Sequence, residues 1–128
     1  MVDQPCKPAL TLCLTTEADP GRARALASAL LERRLVACVS LLPIQSLYRW
    51  QGKLQEEQEV QLLIKTSEDR LQALEAAIEE LHSYEMPEWI HWPAASSKGY
   101  GEWLVSGVNG DARGLDPEER SENGDPAG

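Results

Sequence analysis

The alternation of apolar and polar residues is clearest between Val36 and Thr66, where two extended runs flank a turn at Trp50 to Lys53. In the second run Val60, Leu62 and Ile64 share one face and mostly polar residues share the other. A period of two predicts a half-buried antiparallel strand, and the glycine of the turn accepts a positive φ at little cost. Both arms exceed ten residues, against about five or six in a typical strand. We therefore expect the overhang to contact another sheet edge or another copy of the chain.

Apolar residues at helical spacing predict two amphipathic helices, Pro20 to Arg33 and Ser67 to Leu81. Asp19 precedes Pro20 as an N-cap, and Thr66 to Asp69 has the spacing of a capping box for the second helix. Shorter segments complete the chain: a strand from Pro8 to Thr16, a polar connection at residues 82–88, a strand from Trp89 to Ala95, a loop from Ser96 to Gly99 and a helix from Tyr100 to Val108.

The order strand, helix, strand, strand, helix, strand, followed by a short C-terminal helix, predicts an α+β fold of the split βαβ, ferredoxin-like type. Both main helices are expected on one face of a four-stranded antiparallel sheet. The first hairpin arm is apolar on both faces near its start, so we expect the second face to pack against other subunits. Pro43 in that arm predicts an edge strand or a bulge, because proline donates no ladder hydrogen bond.

The net charge of −9 argues against a nucleic-acid partner bound through phosphate contacts. Residues 109–128 carry six acidic and two basic residues and one large aliphatic residue, so we expect a disordered acidic tail. Residues 1–7 are expected to form a loose arm, which leaves residues 8–108 as the folded domain. The start lacks the features of a signal peptide, and no apolar run would span a membrane, so we expect a cytoplasmic protein.

Catalytic motifs are not visible in the sequence. It contains no GxSxG, no HExxH and no phosphate-binding glycine loop, and we do not expect an enzyme. Three cysteines, Cys6, Cys13 and Cys38, form no CxxC pair. Cys13 and Cys38 lie in apolar runs, where cysteine usually acts as a small core residue.

Five stretches of the chain match the sequence pattern of one known family: Leu31 to Val39, Ser46 to Lys53, Glu59 to Thr66, His82 to Glu88, and Tyr100 with Trp103 and Leu104. On these residues the chain resembles the CutA family of divalent-cation-tolerance proteins. This resemblance implies a tight ferredoxin-like homotrimer, similar in architecture to PII signalling proteins, in which the long hairpin packs against neighbouring subunits. It also implies association with copper or another divalent cation, with no cofactor required, and it leaves a further protein partner unknown.

His82 and Glu88 are the candidate metal ligands, since they flank a turn in the segment that resembles the family's H-P-Y-E-x-P-E. In the competing interpretation His82 lies at a helix end, where the helix dipole favours a positive charge. Glu88 then accepts hydrogen bonds from backbone amides. Some relatives carry a cysteine at the position of Thr15, and Cys13 is displaced from it by about 6.5 Å along the strand. The departure weakens the case for a thiolate copper site.

Tyr48, Trp50, Lys65 and Tyr84 are expected at a cleft between subunits, and interface packing is the preferred role for the aromatic residues. Three hypotheses remain: a metal-associated homotrimer in cation tolerance, a PII-like sensor that binds a small ligand between subunits, and a trimeric scaffold with incidental metal binding.

Overall fold

The computed structural model describes residues 10–109. The loose arm expected at residues 1–7 and all but Asn109 of the expected acidic tail lie outside this range. The elements, in chain order, are β1 (Leu10–Glu17), α1 (Pro20–Glu32), β2 (Cys38–Trp50), β3 (Lys53–Thr66), a 3₁₀ turn (Glu68–Arg70), α2 (Leu71–Leu81), β4 (Ile90–Ala94) and α3 (Lys98–Asn109).

The four strands form one sheet in the order β2-β3-β1-β4, and each neighbouring pair is antiparallel. The expectation of an α+β, ferredoxin-like domain is confirmed at this level. β2 is an edge strand, which explains how Pro43 is accommodated opposite Val60 without a donor on its nitrogen.

One face of the sheet packs against α1 and α2 and forms the core. Val60, Leu62 and Ile64 are buried on this face, as their alternation in the sequence predicted. Leu30 and Leu74 contribute from the two helices and are fully buried. The apolar stripe of each helix therefore meets the apolar face of β3, and burial of this area is the main driving force for the fold.

The opposite face of the sheet carries α3 at one end. Lys65 follows Ile64 and so points to this second face, where its Nζ lies 5.8 Å from the ring centroid of Tyr100 on α3. Leu104 and Val108 of α3 are fully buried but do not belong to the main core. α3 therefore covers only part of the second face, and Ile90 and Trp92 on β4 remain exposed there.

The hairpin extends well past the rest of the sheet. β1 pairs with β3 only as far as Glu17 opposite Val60, whereas β2 and β3 remain paired out to Trp50 opposite Lys53. From Val60 to Lys53 the unsupported ribbon is about 23 Å long. Its turn has φ values of 52° at Gln51 and 78° at Gly52, so both central residues are left-handed as in a type I′ hairpin.

Most predicted boundaries lie within one or two residues of the observed ones, but the starts of two helices differ more clearly. The second helix opens with the 3₁₀ turn. The predicted capping box between Thr66 and Asp69 is wrong, because the Thr66 hydroxyl donates to the backbone oxygen of Leu35 and the Asp69 carboxylate accepts from the Ser67 hydroxyl. The C-terminal helix begins at Lys98, inside the predicted loop. Gly99 concealed this start, because glycine in a helix costs about 1 kcal/mol relative to alanine and is usually a loop signal.

Candidate functional site

An open groove of about 1180 Å³ lies between the ribbon and the connection from α2 to β4. Three aromatic and three acidic side chains line it together with Met86, and no lysine, arginine or histidine among residues 10–109 does. The alternation of the ribbon puts its aromatic and acidic groove residues on the sheet face opposite α1 and α2. The aromatic and acidic residues are Tyr48, Trp50, Tyr84, Glu57, Glu59 and Glu88.

Two phenols of the groove donate hydrogen bonds to ribbon carboxylates. The Tyr48 hydroxyl lies 2.9 Å from Glu57 Oε1, and the Tyr84 hydroxyl lies 2.7 Å from Glu59 Oε2. The hydrogen bond to Glu57 raises the pKa of Tyr48, and burial together with the bond to Glu59 raises the pKa of Tyr84. Both phenols therefore stay protonated at neutral pH, and the second bond ties the connection to the ribbon.

His82 ends α2, and its side chain is fully buried. Nε2 lies 2.6 Å from the backbone oxygen of Thr16, and Nδ1 lies 2.9 Å from the backbone nitrogen of Tyr84. A carbonyl can only accept and an amide N–H can only donate, so these partners assign the neutral tautomer with the proton on Nε2. Both ring nitrogens are thus engaged in holding the connection against the end of β1.

Glu17 is the buried acid beside this histidine, and it is 1% exposed. Its carboxylate accepts hydrogen bonds from the backbone nitrogens of Ala18 and Ser83 and from the Ser83 hydroxyl. Oε2 also lies 3.5 Å from His82 Nδ1. Sequence reasoning missed Glu17, although one signal was present. Glu17 lies four residues after Cys13 in the same strand, so both side chains point to the core face of the sheet.

No group of three or more histidine, cysteine, aspartate or glutamate side chains in residues 10–109 is arranged to hold a metal ion. Glu88 lines the groove, whereas the two ring nitrogens of His82 already bind the backbone of Thr16 and of Tyr84. Cys13 is fully buried, and burial, with a contribution from the charge of Glu75, raises the pKa of its thiol to about 12. A metal role for His82 and Glu88 stays a prediction.

Of the four residues predicted at a cleft, the structure brings Tyr48, Trp50 and Tyr84 to the groove. Lys65 lies elsewhere, against Tyr100. The pairing of β2 with β3 explains this position, because Lys65 lies opposite Cys38 at the start of the hairpin and far from the turn.

His91 on β4 faces α2, where its Nε2 lies 3.3 Å from Glu75 Oε2. The same carboxylate oxygen accepts a hydrogen bond of 3.0 Å from the Trp89 ring nitrogen. With its side chain 39% exposed, His91 is a surface residue of β4. Between Leu10 and Asn109, no helix is long and apolar enough to cross a membrane.

Comparison with known proteins gives a consistent result. The family described as CutA1 divalent ion tolerance protein matches residues 11–107. The divalent-cation tolerance protein CutA of Pectobacterium atrosepticum is 43% identical over 107 residues, which is 81% of this chain and 96% of that protein. CutA of Yersinia pestis is 45% identical over 93 residues, covering 71% of this chain and 78% of that protein.

Solved structures agree with the sequence matches. CutA from Synechococcus elongatus superimposes with a TM-score of 0.76 at 42% identity, covering 77% of this chain and 89% of that one. A protein described as the periplasmic divalent cation tolerance protein CutA from Archaeoglobus fulgidus gives 0.75 at 27% identity, covering 77% and 98%. The matched family spans almost all of the described residues, and the chain belongs to the CutA1 family of divalent ion tolerance proteins.

Proposed function

We propose that this protein acts in divalent-cation tolerance as a cytoplasmic homotrimer whose hairpins form the contacts between subunits. Membership of the CutA1 family is the observation that carries the role in tolerance. The family is described by tolerance and not by a reaction, and the proposal includes no catalytic step. Nucleic acid and membrane are not among the proposed partners.

The exposed apolar surface supports assembly. On the ribbon Leu47 is 62% exposed, Trp50 58% and Leu54 69%. Leu42 and Ile90, on the sheet face left open by α3, are 56% and 50% exposed. Large apolar side chains gathered on one projecting hairpin and one sheet face are typical of a surface covered by another protein. A second and a third copy of the chain are the proposed cover.

Copper or another divalent cation is the proposed ligand, with His82 and Glu88 as the protein ligands. Glu88 is exposed at the groove and is available as an oxygen donor. His82 would coordinate through Nδ1, because Nε2 carries the proton that binds Thr16. Coordination at Nδ1 must displace the hydrogen bond from the Tyr84 amide. Metal binding would therefore be coupled to movement of the connection that forms one wall of the groove.

Calorimetric titration of the purified protein with Cu²⁺ and Zn²⁺ tests the metal proposal. We expect sub-micromolar binding that is lost in His82→Ala and weakened in Glu88→Gln. Glu88 is exposed, so the second variant keeps the fold even if loss of the buried histidine does not. His91→Ala is the matched control, since His91 lies outside the groove, and it should bind like the wild type. Binding that is equal in all four proteins would refute the assignment of these ligands.

The groove supports a second candidate function, a PII-like sensor that binds a small ligand between subunits. Its volume of about 1180 Å³ is large enough for a metabolite. A thermal-shift screen tests this candidate, because a ligand at 100 times its Kd adds about 2.7 kcal/mol to the free energy of unfolding. A screen in which no metabolite moves the transition would remove its support. The trimeric scaffold with incidental metal binding is what would remain if both tests failed.

A further inference from the structure

We propose that the acidic segment after α3 docks on two arginines of its own chain, Arg34 and Arg70, with the Asp111 carboxylate as the group that Arg70 binds. These two residues, the arginine pair, lie at the ends of the hairpin arms that are remote from its turn. Arg34 precedes β2, and Arg70 follows β3. The proposal is independent of the metal and small-ligand functions, and it involves neither the ribbon nor the groove beside it.

The arginine pair contacts the last turn of α3. Arg34 Nη1 lies 3.5 Å from the backbone oxygen of Gly107. Arg70 Nη2 donates a hydrogen bond of 2.8 Å to the backbone oxygen of Val108. The last carbonyl oxygens of a helix lack partners within the helix and carry partial negative charge, so they attract cations. Two guanidinium groups therefore lie at the point where the chain passes from Asn109 into the acidic segment.

Both guanidinium groups keep donors for a further acceptor. Each carries five N–H donors, and the contacts with α3 use one donor of each arginine. Arg70 Nε is buried and has no hydrogen-bond acceptor among residues 10–109. No carboxylate in that range forms an ion pair with Arg34 or Arg70. A buried donor without an acceptor is costly, so the Nε atom indicates an acceptor in the segment that follows α3.

The segment after α3 has the charge and the reach to supply this acceptor. Residues 110–128 hold six acidic and two basic residues, a net charge of −4. Asp111 is the first of the acids and follows Asn109 by two residues, so the two Cα atoms are at most about 7 Å apart. Residues 10–109 carry nine basic and fourteen acidic residues, a net charge of −5, and most of their surface repels the segment. The arginine pair reverses this repulsion where the segment begins.

Docking secures α3 on the second face of the sheet. α3 contains three glycines, which lower its intrinsic helix stability, and it depends on contacts made through Leu104 and Val108. A carboxylate bound to Nε fixes the same guanidinium group that holds the oxygen of Val108. Arg70 then connects β3, the end of α3 and the acidic segment.

Limited digestion of the full chain with trypsin, followed by mass spectrometry, tests the proposal. Trypsin cleaves after Arg113 and Arg120, the two basic residues of the segment. Arg113 lies two residues after Asp111, so docking slows cleavage there, whereas the more distant Arg120 is the internal reference. Asp111→Asn should raise the rate after Arg113, relative to the rate after Arg120, about threefold to tenfold. The reason is that cleavage follows the population of the undocked segment.

Asp125→Asn is the matched control, because it removes a carboxylate of the same segment far from Asp111. It should leave the ratio of the two rates unchanged. Arg70→Gln should raise the ratio, and in that background Asp111→Asn should have no further effect, because both changes break the same contact. The comparison holds even if Arg70→Gln loosens the end of α3. An unchanged ratio in Asp111→Asn, or the same effect of Asp111→Asn in both backgrounds, would overturn the proposal.

The Nε–H signal of Arg70 in nuclear magnetic resonance spectra gives a second measurement on the full chain. Isotopically labelled arginine makes the signal visible, and Arg70→Lys assigns it. The signal should shift in Asp111→Asn and stay in place in Asp125→Asn. Added salt should shift it in the same direction as Asp111→Asn, because salt screens the ion pair. A signal that is identical in the wild type and in Asp111→Asn would contradict the proposal.

Discussion

Truncation of Trp50 at the tip of the hairpin should weaken assembly more than it weakens the fold of one subunit. Trp50 is 58% exposed in the single chain. For a tryptophan that can bury roughly 200 Å², about 120 Å² is left for a neighbour and about 80 Å² is already covered within the subunit. At about 25 cal/mol per Å², Trp50→Ala costs about 3 kcal/mol per intersubunit contact and about 2 kcal/mol in the subunit itself.

Three such contacts in a trimer sum to about 9 kcal/mol, which corresponds to about six orders of magnitude in the association constant. Light scattering over a dilution series measures the assembly, and urea unfolding of the dissociated variant measures the subunit. Leu31→Ala is the control, since Leu31 is 43% exposed but belongs to α1 and not to the projecting ribbon. If the Trp50→Ala assembly dissociated at the same protein concentration as the wild-type assembly, the reasoning would be refuted.

Three further predictions concern the fold. Leu62→Ala removes a fully buried side chain from the core and should cost about 2–5 kcal/mol in urea unfolding. Gly52→Ala places a side chain at a φ of 78° in open space, so unfolding should show a loss of about 1–2 kcal/mol with assembly retained. Burial raises the pKa of Cys13 to about 12, so iodoacetamide at pH 8 should label it only in denaturant. The folded thiol holds its proton more tightly than the unfolded one. The contribution of the protonated Cys13 thiol to the free energy of unfolding is therefore complete below about pH 9 and is lost as the pH rises toward 12.

The hairpin and the core could be predicted from sequence because they depend on local periodicity. Val60, Leu62 and Ile64 alternate in the chain and are buried in the structure. The N-cap at Asp19 is also a local signal, and its side chain accepts a hydrogen bond of 2.8 Å from the Arg22 backbone nitrogen. Where one residue and its near neighbours determine the geometry, the sequence is sufficient.

The candidate site depends on contacts that are distant in sequence. His82 bonds Thr16 and Glu17 contacts Ser83, each across 66 positions, and no periodicity predicts such pairs. The connection at residues 82–88 has no regular structure, so only its contacts define where Tyr84 lies. Sequence reasoning identified His82 by family resemblance but could not see that both its nitrogens are occupied.

Light scattering coupled to size-exclusion chromatography tests the proposed assembly most directly, because every proposed role uses contacts between subunits. One chain has a mass of 14.2 kDa. We predict a species with three times that mass, about 43 kDa, that persists on dilution. A species that remains at 14.2 kDa at high protein concentration would contradict the proposal that the exposed hairpin and open sheet face are covered by further copies of the chain.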